Sequence, residues 1–210
     1  MDLLASLRSN TVGISIFAVI TAGLIAVTQV STQERISANE RAQQAKALYE
    51  VVPAQMIDND LFKDVITLAA PELGYNQAII HQAQHNDQVT AVIIPVIAPD
   101  GYSGDISLIV GINANSSLSG VRVLSHKETP GLGDKIDLKK SDWILSFNQK
   151  MMKGDNDPTW AVKKEGGQFD QFTGATITPR AVINAVGKAV LFFKQHKTQL
   201  LTIKPSVEAP

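Results

Sequence analysis

Three hydroxyl side chains, Thr173, Thr176 and Thr178, lie close together in the stretch FDQFTGATITPRAVINAV, residues 169–186. A Thr followed by Pro is typical of a helix start, because Thr can cap the first turn and Pro fits the first helical position. Thr178 and Pro179 therefore predict a helix that starts at Pro179. In the simplest structural interpretation, Thr178 is only this cap and the other two threonines are turn residues.

The same turn also has the properties of an anion site. The first turn of a helix presents unpaired N–H groups and about half a positive charge, which stabilise an anion by about 0.3–1 kcal/mol, and by up to ~2 kcal/mol when partly buried. Gly174 and Ala175 leave room for a bulky group near the backbone. The hydroxyl of Thr176 would then lie where a phosphate binds, so the pattern indicates either a structural cap or a phosphate site.

Residues 11–30 contain no charged side chain. Twenty residues at about 1.5 Å each match the roughly 30 Å hydrocarbon core of a bilayer, which predicts a transmembrane helix. A cleaved secretory signal is the alternative, but its apolar region is only about 7–15 residues long and follows a clearly positive segment. Residues 1–10 hold one Arg and one Asp. An uncleaved anchor is therefore favoured.

The charges that flank the apolar segment bear on its orientation. Arg8 precedes it, and Arg35, Arg41 and Lys46 follow it. By the positive-inside rule, this count would place the large domain in the cytoplasm. The chain has no cysteine, which suits an oxidising compartment without requiring one. Composition alone therefore leaves the side of the membrane open.

The rest of the chain has an ordinary globular composition. The formal net charge is −1 and 19% of residues are charged, so no basic surface indicates a nucleic-acid partner. Without cysteine there is no thiolate to ligate an iron–sulfur cluster, and no phosphate-binding loop for ATP is present. About 180 residues follow the apolar segment, enough for one domain with its own core.

Residues 31–53 predict a connecting helix, because Ser31 and Glu34 form a capping-box pattern ahead of good helix formers. Its apolar side chains come late, so only its far end is expected to pack against the domain. The stretch 59–74 is compatible with a short helix that stops at Gly74. Helices are predicted at 141–152 and 179–195, and a short strand at 160–164. The last helix would have Val182, Val186, Ala189 and Phe193 along one side.

Three β-branched runs, at about residues 89–98, 104–112 and 119–126, predict strands separated by turn residues. Short links favour antiparallel pairing, so a meander is expected. The predicted fold class is α+β, with an N-terminal transmembrane helix followed by one domain in which helices flank an antiparallel sheet. The predicted divisions are a short tail at 1–10, the span at 11–30, the connecting helix at 31–53, the domain at 54–198 and a C-terminal tail at 199–210.

Other side chains that could do chemistry have simpler interpretations. His81 and His85 would share a face of a helix, but the surrounding HQAQHND is polar and no third ligand is evident, so a solvated face is favoured and no metal site is predicted. Trp143 and Trp160 could stack on a ring, although core packing is the more common use of Trp. Tyr102, between Gly101 and Gly104, is open to either interpretation.

Three separated motifs carry a resemblance to a known family. DQFTGAT, residues 170–176, resembles the D-x-x-[ST]-G-A-[ST] signature of covalently flavinylated proteins, in which a phosphoester joins the last hydroxyl residue to FMN. GYSGDISLIVGI at 101–112 and HKETPGLGD at 126–134, together with the single anchor and the overall length, are similar to the G subunit of Rnf/Rsx electron transport complexes. The resemblance covers essentially the whole chain, with the motifs in the same order.

The resemblance implies a covalent cofactor site in the threonine turn. Thr176 would be the attachment point for FMN. Asp170, Thr173, Gly174 and Ala175 would form the sequence that a flavin transferase reads. Thr173 stands where Ser is common in the family, a change that keeps the hydroxyl.

The segment from Glu128 to Gly133 would form the second part of this site. Its glycines would let the backbone lie close to a flat ring, with Thr129 and Leu132 near the flavin and Glu128 near its ribityl or phosphate end. Without the resemblance, this loop is a tight structural turn before a helix. The residues expected to bind the cofactor are Thr176, Asp170, Thr173, Gly174, Ala175, Thr178, Glu128, Thr129, Gly131, Leu132 and Gly133.

The function that the resemblance implies is electron relay through covalent FMN, in a complex that moves electrons between ferredoxin-type carriers and the nicotinamide pool while it transports ions. The chain would be a single-pass protein of the bacterial inner membrane, with its domain on the periplasmic side. This orientation is opposite to the one that the count of flanking Lys and Arg residues favours. Its expected partners are the other subunits of the complex, the flavin transferase and membrane lipid, with no nucleic acid.

Two alternatives stay open at this point. The C subunit of the sodium-pumping quinone reductase shares the flavin turn, although the length and the shorter middle region favour the Rnf/Rsx protein. A membrane-anchored assembly or binding module could keep the same fold without carrying flavin, and would then be redox-silent.

Overall fold

The structure is a computed structural model that describes the backbone of residues 2–203, with their side chains except those of residues 2–7, 9, 34, 36–41 and 43. Within this part, the chain divides into two compact units, one up to Gln44 and one from Ala45. The fraying expected from Pro205 onwards lies outside the described residues.

The first helix, α1, runs without interruption over Asp2–Val51. Its segment Asn10–Gln33 is, by length and composition, the one helix within residues 2–203 that could cross a membrane. The capping box predicted at Ser31 is wrong, because the Ser31 hydroxyl donates to the carbonyl of Thr28, at 3.0 Å, inside the helix. Good helix formers follow Ser31 and no Pro or Gly interrupts them before Pro53, so the helix does not restart.

Five strands form one antiparallel sheet in chain order, each paired with the next. The predicted meander is confirmed for the last three, and two further strands precede it. The strands are β1 (Val65–Ala70), β2 (Tyr75–His85), β3 (Gln88–Ala98), β4 (Ile106–Asn113) and β5 (Leu118–Ser125).

The short helix predicted at 59–74 is wrong, because this stretch contributes β1. Ile66 of β1 pairs with Ile80 of β2 and both side chains are buried, so sheet pairing outweighs the weak helical pattern. A 3₁₀ turn over Pro71–Leu73 follows, and Gly74 ends it with φ +88°. Gly74 thus ends a 3₁₀ turn and not the helix that was predicted to stop there.

The second long helix, α2, spans Ile177–Leu200. It starts two residues before the predicted position and ends beyond residue 198, the last residue of the predicted domain. The helix predicted at 141–152 is a 3₁₀ helix over Asp142–Phe147, and the strand predicted at 160–164 is only a bridge between Val162 and Phe169. The 3₁₀ helices are Ala54–Met56, Pro71–Leu73, Gly133–Ile136, Asp142–Phe147 and Lys163–Glu165.

The main core lies between α2 and one face of the sheet. The apolar side of α2 that helical spacing predicts is buried, with Val182, Val186, Ala189 and Phe193 among its members. Burial of a large apolar side chain stabilises a fold by about 1.5–3 kcal/mol, so this contact holds α2 against the strands.

Both tryptophans belong to this core, as predicted. Trp143 and Trp160 are buried, and each indole N–H donates to a backbone carbonyl, Trp143 to Asp170 at 2.7 Å and Trp160 to Ile183 at 3.1 Å. A buried indole needs such a partner, because an unpaired N–H is costly in an apolar environment. The first of these bonds ties the segment before the threonine turn to the core.

The end of α1 packs on the other face of the sheet, as predicted for the far end of that helix. Leu48, Val51 and Val52 are buried there with side chains of β2, β3 and β4. Arg122 of β5 donates from Nε to a carboxylate oxygen of Glu50 at 2.8 Å. The last turn of α1 is therefore part of the same unit as the sheet.

A close contact between Val51 and Gly111 makes this packing sensitive to volume. Gly111 of β4 has no space for a side chain, because a Cβ would overlap Val51 and the hydroxyl of Ser119. We expect Gly111→Ala to lower the free energy of unfolding by about 1–3 kcal/mol, the usual cost of overpacking a core. Urea unfolding of the full chain in detergent, followed by Trp fluorescence, measures this change.

Gly154→Ala is the matched control, since a Cβ at Gly154 would meet no atom within 4 Å. Equal unfolding midpoints for the two variants would show that Val51 does not press against Gly111.

Candidate functional site

The threonine turn is a β-turn that leads directly into α2. The N–H of Ala175 donates to the carbonyl of Phe172 at 3.3 Å and closes the turn. Gly174 has φ +83°, a conformation that side chains disfavour and that type II turns require at this position. Phe172 is buried against Trp143, with ring centroids 5.1 Å apart. The turn is therefore anchored at its base while its tip faces solvent.

Thr176 is the residue at the start of α2. Its side chain is exposed and makes no capping hydrogen bond to the helix, and its hydroxyl pairs with no other group in the part of the chain that the structure describes. The first N–H groups of a helix have no partner within the helix. The hydroxyl of Thr176 and these donors are thus presented together at the positive end of α2.

The cap predicted at Thr178 is wrong. Thr178 is the second residue of α2, it is fully buried, and its hydroxyl donates to Oε2 of Glu128. A helix can start ahead of Pro179 because proline is tolerated throughout the first turn, where its missing N–H would have no partner. Thr178 holds a neighbouring loop instead of capping its own helix.

That neighbouring loop is a tight turn around the carbonyl of Thr129. The backbone N–H groups of Leu132 and Gly133 both point to this carbonyl at 3.1 Å. The carboxylate of Asp134 accepts a hydrogen bond from the N–H of Gly131 at 2.8 Å. The loop therefore has a defined shape, and Leu132 at its tip is 42% exposed.

Glu128 joins three segments of the chain through one buried carboxylate. Oε1 accepts a hydrogen bond from the N–H of Ser103 at 3.0 Å, and Oε2 accepts from the hydroxyl of Thr178. Only glycine fits at position 133 beside this pair, since a Cβ there would lie 2.7 Å from Oε2 and 2.9 Å from the Thr178 hydroxyl. Hydrogen bonds to a charged group contribute about 1.5–3 kcal/mol each, so this junction is a strong one.

A cavity of about 340 Å³ opens between these segments. Its volume lies within the roughly 300–1,000 Å³ range of small-molecule sites. Most of the predicted cofactor-binding residues line it. The lining residues are Tyr102, Glu128, Thr129, Leu132, Gly133, Gly174, Ala175, Thr176, Ile177 and Thr178.

Three of the predicted residues lie outside the cavity lining. Asp170 is exposed, with its Oδ1 2.6 Å from Nζ of Lys163, and Thr173 is also exposed. Gly131 bends the second loop with φ +78°. Thr173 is thus on the outer surface of the turn, and Asp170 lies just before it.

Two lining residues were not predicted. The sequence left the role of Tyr102 undecided, although its position between two glycines in one of the family motifs could have indicated a place at the site. Ile177 carried no signal at all, because an apolar residue at a helix start is ordinary. Both are well exposed, Tyr102 at 69% and Ile177 at 45%.

Comparisons with known proteins identify the family. The chain is 48% identical to the G subunit of the ion-translocating oxidoreductase complex of Vibrio cholerae serotype O1 strain M66-2, over 94% of this chain and 95% of the relative. It is 43% identical to the G subunit of Aliivibrio fischeri strain MJ11 over 98% and 99%, and to that of Shewanella piezotolerans strain WP3 over 97% of each. The chain belongs to this G-subunit family.

Two family models match separate parts of this G-subunit chain. The RnfG N-terminal region matches residues 1–51, which include α1, and the FMN-binding domain matches residues 101–191. The N-terminal match favours this family over the quinone reductase alternative. The FMN-binding match begins at Gly101 and includes the two loops and more than half of α2, and therefore all residues that line the cavity.

The residues of the cavity fit FMN. The start of α2 would supply N–H donors for a phosphate next to the Thr176 hydroxyl, which has no hydrogen bond in the described part of the chain. Tyr102, Leu132 and Ile177 leave apolar surface exposed around the opening, as a flat aromatic ring requires. Gly133 keeps the wall beside Glu128 free of side-chain volume.

The two histidines lie on β2 and not on a helix. Among the side chains that the structure describes, no group of three or more His, Cys, Asp or Glu is placed to hold a metal ion. His81 is half-buried, its Nδ1–H donates to the carbonyl of Leu61 at 2.7 Å, and burial lowers the pKa of the ring below its ordinary value of 6.5. The solvated face predicted for the pair applies to His85, whose Nδ1 is 3.6 Å from a carboxylate oxygen of Asp58.

The hydrogen bond from the Thr178 hydroxyl to Glu128 can be tested by a measurement of stability. Thr178→Val keeps the shape of the side chain but removes the proton that Glu128 accepts. We expect the free energy of unfolding to fall by about 1–3 kcal/mol, the cost of leaving a buried polar group without its partner. Urea unfolding of the full chain in detergent gives the value.

The matched control is Thr173→Val, the same exchange at an exposed position. Its effect should stay within about 0.5 kcal/mol, as for most surface substitutions. A loss of stability as large as that of Thr178→Val would contradict the role assigned to the Glu128 contact.

Proposed function

We propose that the chain is a membrane-anchored flavoprotein component of an Rnf/Rsx-type electron transport complex, with FMN joined to Thr176 by a phosphoester. The observation that carries this proposal is the Thr176 hydroxyl itself. It lies at the start of α2, on the wall of the cavity, without a hydrogen bond in the described part of the chain. Membership of the G-subunit family and the match to the FMN-binding domain support the same cofactor.

The proposal assigns a task to each part of the cavity. The oxygen of Thr176 would hold the phosphate covalently, and the first N–H groups of α2 would stabilise its negative charge. Leu132 and Ile177 would cover apolar parts of the cofactor and limit the access of water. Glu128 would act indirectly, because both of its oxygens are already engaged by Ser103 and Thr178.

When bound, FMN can accept a pair of electrons and pass on single electrons. The protein contributes position and electrostatics, and it needs no acid–base residue for that task. Glu128 is the one carboxylate that lines the cavity, and its hydrogen bonds hold the fold together. This arrangement suits a carrier that exchanges electrons with other members of the complex, coupled to ion transport across the membrane.

The placement in the membrane is part of the proposal. Residues 10–33 would anchor the protein in the bacterial inner membrane, the preceding residues would stay in the cytoplasm, and the domain would lie in the periplasm. Thr173 is exposed on the threonine turn and Asp170 is exposed just before it, where a flavin transferase could reach them. A covalent bond would prevent loss of the cofactor from a domain that faces an open compartment.

Loss of the Thr176 hydroxyl tests the covalent bond. We expect the wild-type chain, produced in cells with an active flavin transferase, to give a flavin-fluorescent band on a denaturing gel. Thr176→Ala should abolish that band, and Thr176→Ser, which keeps a hydroxyl, should retain it at least in part. Mass spectrometry of the peptide that contains residue 176 locates the modification.

The result that would overturn the proposal is a wild-type protein without fluorescence and of unmodified mass, made beside a control flavoprotein that the same transferase modifies. The redox-silent module would then be the better description. Fluorescence that persists in Thr176→Ala would place the flavin on another residue.

Protease accessibility tests the proposed orientation. Protease added to intact spheroplasts should digest the domain beyond residue 31, because that domain would face the medium. Complete protection of the domain in spheroplasts, with digestion only after detergent lysis, would place it in the cytoplasm, as the positive-inside count suggests. A cytoplasmic marker protein that stays intact serves as the control for spheroplast integrity.

A further inference from the structure

Tyr102 is an exposed aromatic residue on the wall of the cavity. It lies in the turn between β3 and β4, and 69% of its surface is accessible. Neither its hydroxyl nor its ring has a partner among the side chains and backbone groups that the structure describes. Tyrosine rings usually bury their apolar surface, so this ring is available to a ligand in the cavity.

The backbone on both sides of Tyr102 is held in place although the ring is free. The N–H of Ser103 donates to Oε1 of Glu128 at 3.0 Å. On the other side, a Cβ at Gly101 would lie 3.0 Å from the same oxygen and 3.0 Å from Cγ1 of Ile106, so the turn packs closely on the buried carboxylate. The attachment point of the ring is therefore well defined.

The same carboxylate relates Tyr102 to Thr176. The second oxygen of Glu128 accepts the hydroxyl of Thr178, two residues after Thr176 on α2. One side chain thus sets the position of the Tyr102 turn relative to the start of α2. A change at Glu128 would alter the width of the cavity between them.

Tyr102 is the one aromatic residue among those that line the cavity. Leu132 and Ile177 supply the remaining exposed apolar surface, and the threonines at 129, 176 and 178 supply hydroxyls. Trp143 and Trp160 are buried in the core and do not line the cavity. A flat, electron-poor ring in this cavity would find its aromatic contact at Tyr102.

We propose that Tyr102 contacts the isoalloxazine ring of FMN and that Glu128 is the positioning residue that holds the Tyr102 turn. This inference rests on the function proposed above. Tyrosine is electron-rich, so contact with it stabilises the electron-poor oxidised ring more than the reduced one. Tyr102 therefore lowers the reduction potential of the bound flavin as well as orienting it.

Flavin fluorescence reports this contact without a measurement of activity. An excited flavin takes an electron from a touching tyrosine, and the electron returns without emission of light, so contact quenches fluorescence. In the full-length protein with its flavin, Tyr102→Leu should raise the fluorescence yield and lifetime severalfold and shift the reduction potential upward. Yields are normalised to the flavin content measured after denaturation.

Two further variants separate contact from a general structural effect. Tyr102→Phe keeps the ring but is a poor electron donor, so it should lose the quenching and keep the potential closer to that of the wild type. Tyr49→Leu removes a tyrosine that is 37% exposed at the end of α1 and does not line the cavity. It should change neither the lifetime nor the potential.

Glu128→Leu and Glu128→Gln test the positioning role. Glu128→Leu should lengthen the flavin lifetime towards that of Tyr102→Leu, because the N–H of Ser103 loses its acceptor. Glu128→Gln keeps an oxygen that can accept this N–H, and it should restore the quenching at least in part. A lifetime in Glu128→Leu equal to that of the wild type would show that Glu128 does not position Tyr102.

The outcomes distinguish this inference from the function on which it rests. Flavin present on residue 176, with lifetime and potential unchanged in Tyr102→Leu, would overturn the contact and leave the proposed function intact. A wild-type protein without flavin would remove both. If Tyr102→Leu is purified without flavin, an unchanged lifetime in Tyr102→Phe overturns the contact.

Discussion

The cavity depends on one buried carboxylate, that of Glu128. It accepts hydrogen bonds from the turn after β3 and from the start of α2, and it belongs to the loop that forms a third wall. These segments are distant in sequence, and neither the turn nor the loop has a core of its own. A buried charged group is tolerated only when it is paired. The carboxylate therefore needs both hydrogen-bond donors, and it also holds both of them in place.

The sheet gives this junction a rigid support because both of its faces are covered within the same unit. The apolar side of α2 packs on one face, and the last turn of α1 packs on the other at Gly111. Trp143 connects the core to the backbone of Asp170, immediately before the threonine turn. Well-packed elements therefore hold the exposed tip of that turn, as a binding site on a rigid support requires.

The motifs located most of the candidate site, and the errors of prediction have identifiable causes. Residues 128–133 and 173–176 were expected at the site, and the structure brings most of them to one cavity. Thr178 was assigned to the wrong task, because a Thr before Pro is a local signal and its actual partner, Glu128, is fifty residues away. The strand β1 was predicted as a helix for the same reason, since its identity depends on pairing with β2.

The amino-acid sequence alone was sufficient for the apolar segment, the order of the last three strands, the amphipathic α2 and the motifs that identify the family. These features depend on composition and on short-range periodicity, which the chain carries locally. Three features of the site came from the folded chain alone: the unpaired Thr176 hydroxyl at the start of α2, the junction at Glu128 and the place of Tyr102 on the cavity wall. Such contacts join residues far apart in the chain, and no local pattern encodes which donor a buried carboxylate will meet.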